Sequence, residues 1–315
     1  MWLFLPAGPE FQMRVFVTGA VGFVGGWLAK ELRASGHEVV TAPGPEQMDI
    51  ADRRAVASWL ADPAGLPDAV VHLAGMAFAP DAGKDPGEAF RVNVGGTVAL
   101  FEALRELGIR PPVVVSCSAD AYGNPRPEDL PLKEDAPLAP NSQYALSKVA
   151  QEGAAAEACA RYGFPVVISR SFNHTGPGQR PVFVVPAMAQ RVMAVKRNQA
   201  TAIPAGNIDV RRDLTDVRDV VVAYRLLTEA ACHGTLPDRL TVVNVASGQV
   251  VSVRFVIERL AALAGVEPVV EIDQSLVRAD DPVEIRGDAS LIRKLVGWEP
   301  RIELQQTLTD LLAVS

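Results

Sequence analysis

Tyr144 and Lys148 carry side chains that can move a proton when they lie together. They stand four residues apart in the stretch that follows Pro140, so a helix places them on one face. A phenol whose pKa is about 10 is a poor acid or base at neutral pH, whereas a neighbouring ammonium favours the phenolate and lowers that pKa. The spacing by itself is common, and an ordinary surface pair explains it better than chemistry does.

A hydroxyl group near this pair changes that interpretation. Residues 116–123, SCSADAYG, end a predicted strand, and Ser118 can present its hydroxyl there as a donor to a substrate oxygen. We therefore predict that Ser118, Tyr144 and Lys148 are catalytic residues acting on one oxygen atom.

Three glycines lie between the first predicted strand and its helix, in TGAVGFVG at residues 18–25. The first permits a tight turn, the second lets a pyrophosphate approach the backbone, and the third lets helix and strand pack closely. The helix N-terminus adds N–H groups and a positive dipole end. The GxxGxxG spacing meets the GxGxxG fingerprint only loosely, so a glycine-rich turn without a ligand is the alternative. The predicted dinucleotide contacts are Gly19, Gly22, Phe23, Val24 and Gly25.

Further dinucleotide contacts are predicted where later strands end. Asp49 and Ile50 follow the second strand, where a carboxylate can meet adenine. Leu73, Ala74 and Gly75 end the third strand, at the carboxyl edge where ligands of doubly wound folds bind.

The choice between NADH and NADPH stays open in the sequence. Residues 40–44, VTAPG, hold neither an acid for a ribose hydroxyl nor an arginine for a 2′-phosphate, and Glu46 is the nearest acid. Because no basic residue stands between Arg33 and Arg53, we lean towards NADH.

Strands and helices that alternate along the chain must position these groups. Strands are predicted at 14–18, 37–40, 69–73, 112–116 and 166–169, and helices at 25–35, 53–60, 94–107 and 141–162. This alternation predicts an α/β fold with a doubly wound parallel sheet, a Rossmann domain.

The domain organisation is predicted from a change of character after Phe172. We assign 13–172 to an NAD(P)-binding domain, rejoined by about 216–247, which holds a helix at 220–231 and a strand at 240–245. Residues 173–215 and 248–315 are assigned to a smaller mixed α/β substrate lobe. Residues 1–12 resemble neither the next segment nor a signal peptide and are assigned to an upstream extension, with Met13 as the expected natural start.

Composition excludes several classes of protein. The 315 residues include 30 basic and 37 acidic side chains, a net charge of −7, which argues against a general nucleic-acid binder. No apolar run reaches the roughly 18 to 20 residues that span a bilayer. Three widely spaced cysteines and four histidines without ligand spacing predict neither disulfides nor a metal site, and favour the cytoplasm.

The glycine turn, Ser118, Tyr144 and Lys148, in this order and context, resemble the extended short-chain dehydrogenase/reductase family over essentially everything after Met13. The resemblance implies that Tyr144 exchanges a proton with the reacting oxygen while Ser118 orients that oxygen. It implies that Lys148 lowers the pKa of Tyr144 and holds the nicotinamide ribose of NAD(P)H. Further dinucleotide contacts that it implies are Asn93, Ser116, Tyr144, Lys148, Ser171 and Phe172.

Motifs in the second half resemble the nucleotide-sugar branch of this family, in particular the group of GDP-4-keto-6-deoxy-D-mannose reductases and GDP-mannose 4,6-dehydratases. They are SRSFNHTGPGQ at 169–179, FVVP at 183–186, DVRDV at 216–220 and GWEP at 297–300. The resemblance implies that Arg212 and Arg278 grip the nucleotide diphosphate and that Asp281 lies near its ribose. A solvated charge cluster with a local ion pair is the alternative for residues 211–213. The implied substrate contacts are Ser118, Asp120, Asn173, Val184, Arg212, Arg278 and Asp281.

The reaction type is less sharply defined. Dehydratases of this group carry a glutamate two residues before the position of Tyr122, where this chain has Asp120, but reductases also carry an acid there. The glycine turn of those dehydratases resembles GxxGQDG, whereas this chain has GFVG at 22–25. We therefore favour a reductase that transfers hydride to a C4 ketone of a GDP-4-keto-6-deoxyhexose, and keep a 4,6-dehydratase or 4-epimerase as alternatives. UDP, CDP and dTDP sugars stay open, and a non-catalytic dinucleotide binder is disfavoured because all three catalytic residues are present.

The helices predicted at 94–107 and 141–162 carry small apolar faces. In the family that the chain resembles, the equivalent helices form a four-helix dimer bundle, which implies a homodimer. Packing within one chain explains the same periodicity.

Overall fold

The computed structural model describes residues 12–62, 64–267, 269–277 and 281–315. Most of the predicted 1–12 extension therefore lies outside the described residues. In chain order the strands are β1 (Arg14–Thr18), β2 (Glu38–Thr41), β3 (Ala69–His72), β4 (Val113–Ser118), β5 (Val166–Ser171), β6 (Asn173–Thr175), β7 (Ile203–Ala205), β8 (Arg211–Asp216), β9 (Leu240–Val245), β10 (Val250–Ser252), β11 (Val270–Ile272) and β12 (Glu284–Ile285).

Helices connect most of these strands. They are α1 (Phe23–Ala34), α2 (Arg53–Leu60), α3 (Ala79–Lys84), α4 (Pro86–Phe90), α5 (Gly96–Glu106), α6 (Gln143–Tyr162), α7 (Val184–Lys196), α8 (Val217–Cys232), α9 (Val253–Ala264), α10 (Ser290–Val296) and α11 (Leu304–Ala313).

A six-stranded sheet in the order β2-β1-β3-β4-β5-β9 forms the centre of the protein. All its neighbouring strands are parallel, which confirms the predicted doubly wound fold. The chain leaves β1 towards β2 on one side and returns to β3 on the other. The carboxyl ends of β1 and β3 therefore flank a topological switch point, where such sheets bind ligands.

The valine-rich strands are buried on both faces because helices cover each side of this sheet. One layer contains α2, α5 and α6, and its core includes Leu60, Leu104 and Ala155. The other layer contains α1 and α8, and its core includes Leu28 and Val220.

The long helix α6 has well-defined ends, which fix the position of its side chains. The Ser142 hydroxyl accepts a hydrogen bond from the N–H of Ala145 at 3.1 Å, as N-caps do. The helix stops at Gly163, whose φ of 77° suits glycine. Tyr144 and Lys148 consequently lie one turn apart near its start, and both are buried.

Several local features differ from the sequence prediction. The helix predicted at 94–107 begins earlier, with a π-helical turn at Arg91–Gly95 that leads into α5. Strands β4 and β5 extend further than predicted, to Ser118 and Ser171. The short helices α3 and α4 were not predicted, since six and five residues are too few to show a helical period.

The second half of the chain adds smaller sheets and a separate core. Strand β8 pairs with β6, β10 and β12, and β7 pairs with β11. Helices α7, α9 and α11 pack on a cluster that includes Val192, Ile257 and Leu308. Ile292 and Trp298, from the segment assigned to the lobe, instead pack with the α1 and α8 layer. The predicted domain boundaries stay a proposal.

No helix in the described part of the chain is long and apolar enough to span a membrane.

Candidate active site

The glycine turn joins β1 to α1 at the switch point of the sheet. Gly19 has a φ of +68°, and a Cβ there would lie 2.7 Å from the backbone nitrogen of Ala74. A Cβ on Gly25 would lie 2.2 Å from the carbonyl oxygen of Gly19. Both positions therefore require glycine, and the turn lies directly against the end of β3.

Helix α1 begins after this turn without a side-chain cap, because its N-cap residue is Gly22. Phe23 and Val24 form its first turn. Uncapped N–H groups at a helix N-terminus bind anions such as phosphate, so the predicted contacts at Gly22, Phe23 and Val24 fit a pyrophosphate.

The end of β3 is fixed by a hydroxyl from β1. The N–H groups of Leu73 and Ala74 both donate to Thr18 Oγ1 at 3.1 Å. A Cβ on Gly75 would lie 2.8 Å from Asn93 Oδ1, so this glycine permits the close approach of Asn93. The structure thus brings these predicted dinucleotide contacts together beside the glycine turn.

Asn93 lies in the π-helical turn and is fully buried. Its Oδ1 accepts from the N–H of Met76 at 2.7 Å, and its Nδ2 donates to Ser147 Oγ at 2.9 Å. Asn93 therefore connects the segment after β3 to Ser147 on α6, the residue before Lys148.

Asp49 and Ile50 have different surroundings. The Asp49 carboxylate accepts from the N–H of Ala51 and from Arg91 Nη1; the backbone hydrogen bond, followed by Arg91, lowers its pKa. The Asp49 side chain is exposed, whereas Ile50 is buried against Gly96. Contact of either residue with adenine stays a prediction.

Ser116 and Ser171 share a partner that the sequence did not reveal. The hydroxyl of Tyr224 lies 3.2 Å from Ser116 Oγ and 2.7 Å from Ser171 Oγ. Phe172 is buried and packs near Tyr122, with ring centroids 6.3 Å apart. The predicted contacts of Ser116, Ser171 and Phe172 with a dinucleotide are not tested by this packing. Tyr224 lies on α8, and a lone tyrosine in a helical pattern gives no signal of such a role.

The three predicted catalytic residues meet at the carboxyl edge of β4. Ser118 is its last residue, and its hydroxyl lies near enough to that of Tyr144 on α6 to lower the pKa of the phenol. Lys148 Nζ donates to the carbonyl oxygen of Ser116 at 2.6 Å and to Gln151 Oε1 at 2.5 Å. Two hydroxyls and an ammonium are thereby assembled at the edge where doubly wound sheets bind ligands.

Burial dominates the acid–base properties of this group. Desolvation raises the pKa of Tyr144, the charge of Asp120 raises it further, and the hydrogen bond from Ser118 opposes both. Desolvation lowers the pKa of Lys148. Desolvation acts on Tyr144 in the opposite direction to the lowering by Lys148 that the resemblance implies, since loss of water disfavours the phenolate. Tyr144 therefore holds its proton at neutral pH, as a proton donor requires.

The predicted substrate residues lie on the second half of the chain. Arg212 forms an ion pair with Asp281 and also donates to the carbonyl oxygen of Pro282. Val184, at the start of α7, and Arg212 line one small crevice. Asn173 is exposed on β6. Arg278 lies outside the described residues.

The local ion pair that was the alternative for residues 211–213 does not form between these residues. Arg212 pairs with Asp281, 69 residues away, whereas the Asp213 carboxylate accepts from the N–H groups of Ser247, Gly248 and Gly287. Asp281 also lines a cavity of about 580 Å³ that lies between residues 124–130 and 281–286. This cavity is large enough for a ligand of nucleotide size.

Comparison with a family model identifies the group to which such a site belongs. The model of the GDP-mannose 4,6 dehydratase family matches residues 45–311, which is most of the chain.

Individual relatives agree with this match. The chain is 35% identical over 302 residues to GDP-6-deoxy-D-mannose reductase of Pseudomonas aeruginosa, covering 95% of this chain and 96% of that protein. A structure of RMD from Pseudomonas aeruginosa complexed with NADPH superposes with a TM-score of 0.86 at 33% identity, covering 96% of this chain and 98% of that one. UDP-glucose 4-epimerase of Thermus thermophilus, in complex with NAD, gives a TM-score of 0.81 at 27% identity with coverages of 96% and 98%.

Adjacent glycines in α1 allow a matched test of the turn. Gly25→Ala should lower the free energy of unfolding by about 1–3 kcal/mol and weaken NADPH binding at least tenfold, because its Cβ would collide with Gly19. Gly26→Ala should stabilise the protein by about 0.4–1 kcal/mol and leave binding unchanged, since its nearest atom is 3.9 Å away. Urea unfolding and fluorescence titration with NADPH measure both effects. Equal behaviour of the two variants would contradict the proposed turn geometry.

Proposed function

We infer that this chain, which belongs to the GDP-mannose 4,6-dehydratase family of extended short-chain dehydrogenases/reductases, is an NAD(P)H-dependent reductase of a nucleotide sugar. Its substrate is a GDP-4-keto-6-deoxyhexose, with GDP-4-keto-6-deoxy-D-mannose as the first choice, and its reaction converts the C4 ketone to a hydroxyl. The observation that carries this proposal is the position of the Ser118 hydroxyl near a protonated Tyr144, which lies one helical turn before Lys148.

The glycine turn fits a dinucleotide. Side chains at Gly19 and Gly25 would collide with the backbone of Ala74 and of Gly19, so these glycines keep the turn tight. The N-terminus of α1 offers uncapped N–H groups to a pyrophosphate. NAD(P)H bound there supplies the hydride that attacks C4 of the sugar.

Tyr144 supplies the matching proton. Its hydroxyl transfers H⁺ to O4 as the C4–H bond forms, so that ketone, hydride and proton together give an alcohol. Ser118 hydrogen-bonds the developing alkoxide, because its hydroxyl and that of Tyr144 are close enough to reach one oxygen. Lys148 uses two of its three N–H groups on Ser116 and Gln151. The third is the candidate donor to the nicotinamide ribose.

The relatives support the substrate class. A reductase of a GDP-6-deoxy sugar is the 35% identical protein. NADPH is bound in one similar structure and NAD in another, so we propose NAD(P)H and keep the preference for NADH as a prediction. Arg212 and Asp281 already lie together in the second half of the chain. With Arg278 they are the proposed contacts to the nucleotide.

A second reaction is favoured by one specific feature. Asp120 acts electrostatically on Tyr144, so an acid stands beside the reacting oxygen, where a 4,6-dehydratase needs a group for elimination of water. The family model is named after such a dehydratase. A 4-epimerase is the third alternative, since an epimerase has a similar structure.

A homodimer belongs to the same proposal. Val98 on α5 and Leu146 on α6 are 47% and 44% exposed. Ala150, Gly153 and Ala154 continue a surface of small residues along α6. The face formed by Val98, Leu146 and these small residues is the proposed dimer surface. We also propose a cytoplasmic location, which the three free thiols support.

Replacement of the proton donor tests the reductase chemistry. Tyr144→Phe should reduce ketone-dependent NAD(P)H oxidation by at least about 10²-fold while it keeps NAD(P)H affinity within about threefold, because only the hydroxyl is removed. Tyr162→Phe, at the other end of α6, is the control and should retain full activity. Absorbance at 340 nm follows the reaction with GDP-4-keto-6-deoxy-D-mannose. Turnover by Tyr144→Phe at the wild-type rate would overturn the assignment.

Substrate choice separates the alternatives. The wild-type protein should oxidise NAD(P)H with the GDP-linked 4-ketone and bind GDP more tightly than UDP, CDP or dTDP. It should leave GDP-mannose with catalytic NADP⁺ unchanged. Formation of a 4-keto-6-deoxy product from GDP-mannose would establish the dehydratase, and tightest binding of UDP would favour an epimerase.

A charge on the proposed dimer surface tests the oligomer. Val98→Asp should convert a particle of twice the chain mass into a monomer, because it places a carboxylate in an apolar contact. Val314→Asp, at a position 65% exposed near the C-terminus, is the matched control and should stay dimeric. Analytical ultracentrifugation measures the mass. A wild-type monomer, or a dimeric Val98→Asp variant, would contradict the proposed surface.

A further inference from the structure

Lys148 is held by a side chain one turn further along its own helix. Gln151 is fully buried, with 0% of its surface exposed, and its Oε1 accepts from Lys148 Nζ at 2.5 Å. The side-chain amide must present oxygen to Lys148, because an ammonium can only donate. Its Nε2 therefore points away from Lys148.

The orientation of this amide is set by a neighbouring hydroxyl. Gln151 Nε2 donates to Thr97 Oγ1 on α5 at 3.0 Å. Thr97 Oγ1 in turn donates to the carbonyl oxygen of Asn93 at 2.8 Å. Since the one hydroxyl proton is used there, Thr97 Oγ1 can only accept from Gln151 and from His72, whose Nε2 lies at 3.0 Å.

This assignment determines the tautomer of His72 and extends the chain of hydrogen bonds. His72 Nε2 carries the proton, so Nδ1 accepts from Thr18 Oγ1 at 2.8 Å. Thr18 Oγ1 also accepts the N–H groups of Leu73 and Ala74. A continuous buried series of hydrogen bonds thus runs from the ammonium of Lys148 to the backbone beside the glycine turn.

The hydrogen-bond acceptors that stabilise the charge of Lys148 are mainly neutral groups. Desolvation lowers the pKa of His72 to about 3 and raises that of Cys117 on β4 to about 12. Tyr144 on α6 is protonated, as described above. None of these three carries charge near neutral pH. Glu152, one turn further along α6, is paired with Arg170 on β5, so the backbone carbonyl of Ser116 and the side-chain carbonyl of Gln151 are the close acceptors for the ammonium.

We propose that Gln151 is a positioning residue, which keeps Lys148 charged and aimed at the ribose of the bound dinucleotide. The role of Lys148 towards the ribose rests on the proposed function. Gln151 supplies an acceptor without supplying a negative charge, and its link to Thr97 prevents the amide from turning away. The positive charge of Lys148 is consequently available to the dinucleotide.

The test measures the affinity for NADPH as a function of pH, in wild type and in two variants. Gln151→Met has a similar volume and no acceptor, so it should weaken NADPH binding about tenfold at pH 7. The pH above which NADPH binding is lost should fall by about one unit, because the pKa of Lys148 falls further. Gln151→Glu keeps an acceptor and adds a negative charge. Its affinity for NADPH at pH 7 should lie within about threefold of that of wild type. The pH above which binding is lost should be higher than in wild type.

A matched control and a stability measurement separate positioning from packing. Gln305→Met makes the same exchange on the surface of α11 and should bind NADPH as wild type at every pH. A purely structural effect of Gln151→Met would weaken binding by one factor at all pH values. That result would overturn the proposal, as would Gln151→Glu behaving like Gln151→Met. If Gln151→Met unfolds in thermal melts, Gln151→Glu is the remaining test. A pH profile of NADPH binding to Gln151→Glu that equals that of wild type would then overturn the proposal.

The two proposals fail in distinguishable ways. NADPH binding requires no sugar substrate, so a wild-type protein that binds NADPH but does not reduce the ketone would overturn only the proposed reaction. A wild-type reductase whose NADPH binding has the same pH profile as that of Gln151→Met would overturn only the role of Gln151.

Discussion

The ammonium of Lys148 is the buried charge on which the rest of the site depends. Removal of a charged group from water is costly, and here it lowers the pKa of the lysine. The cost is offset by acceptors from two elements, the Ser116 carbonyl on β4 and Gln151 on α6. Because these acceptors lie 2.5–2.6 Å from the nitrogen, α6 is held against the edge of β4. That contact places Tyr144, one turn earlier, beside Ser118.

Parallel strands bring the remaining parts of the site to the same edge. The glycine turn follows β1, the backbone against it follows β3, and Ser118 ends β4, so three consecutive neighbours in the sheet meet at their carboxyl ends. The topology of the sheet thereby places the proposed dinucleotide-binding turn beside the residues proposed for proton transfer. The second half of the chain contributes Arg212 and Asp281, which form an ion pair with each other.

The sequence predicted those features that are encoded locally. The alternation of strands and helices predicted the fold, which the structure confirms. The glycine spacing and the i, i+4 pair of Tyr144 and Lys148 predicted groups that the structure brings to one edge of the sheet. Tyr224 and Gln151 were missed because their roles arise from contacts between elements far apart in the chain. The rise in the pKa of Tyr144 was missed for the same reason, since the desolvation that causes it is a property of the packed protein. Five-residue α4 and the π-helical turn were missed because so few residues show no period.

In the proposed reaction a protonated Tyr144 and a bound NAD(P)H together reduce a sugar ketone. Transfer of isotope from the dinucleotide to the sugar tests this reaction. The protein is incubated with GDP-4-keto-6-deoxy-D-mannose and an equimolar amount of NADPH deuterated at nicotinamide C4 on the transferred face, or with NADH labelled in the same way. One deuterium at C4 of the sugar and a stoichiometric amount of oxidised dinucleotide are expected by NMR and mass spectrometry. A sugar without deuterium, with the labelled dinucleotide still reduced, would contradict the proposed reaction.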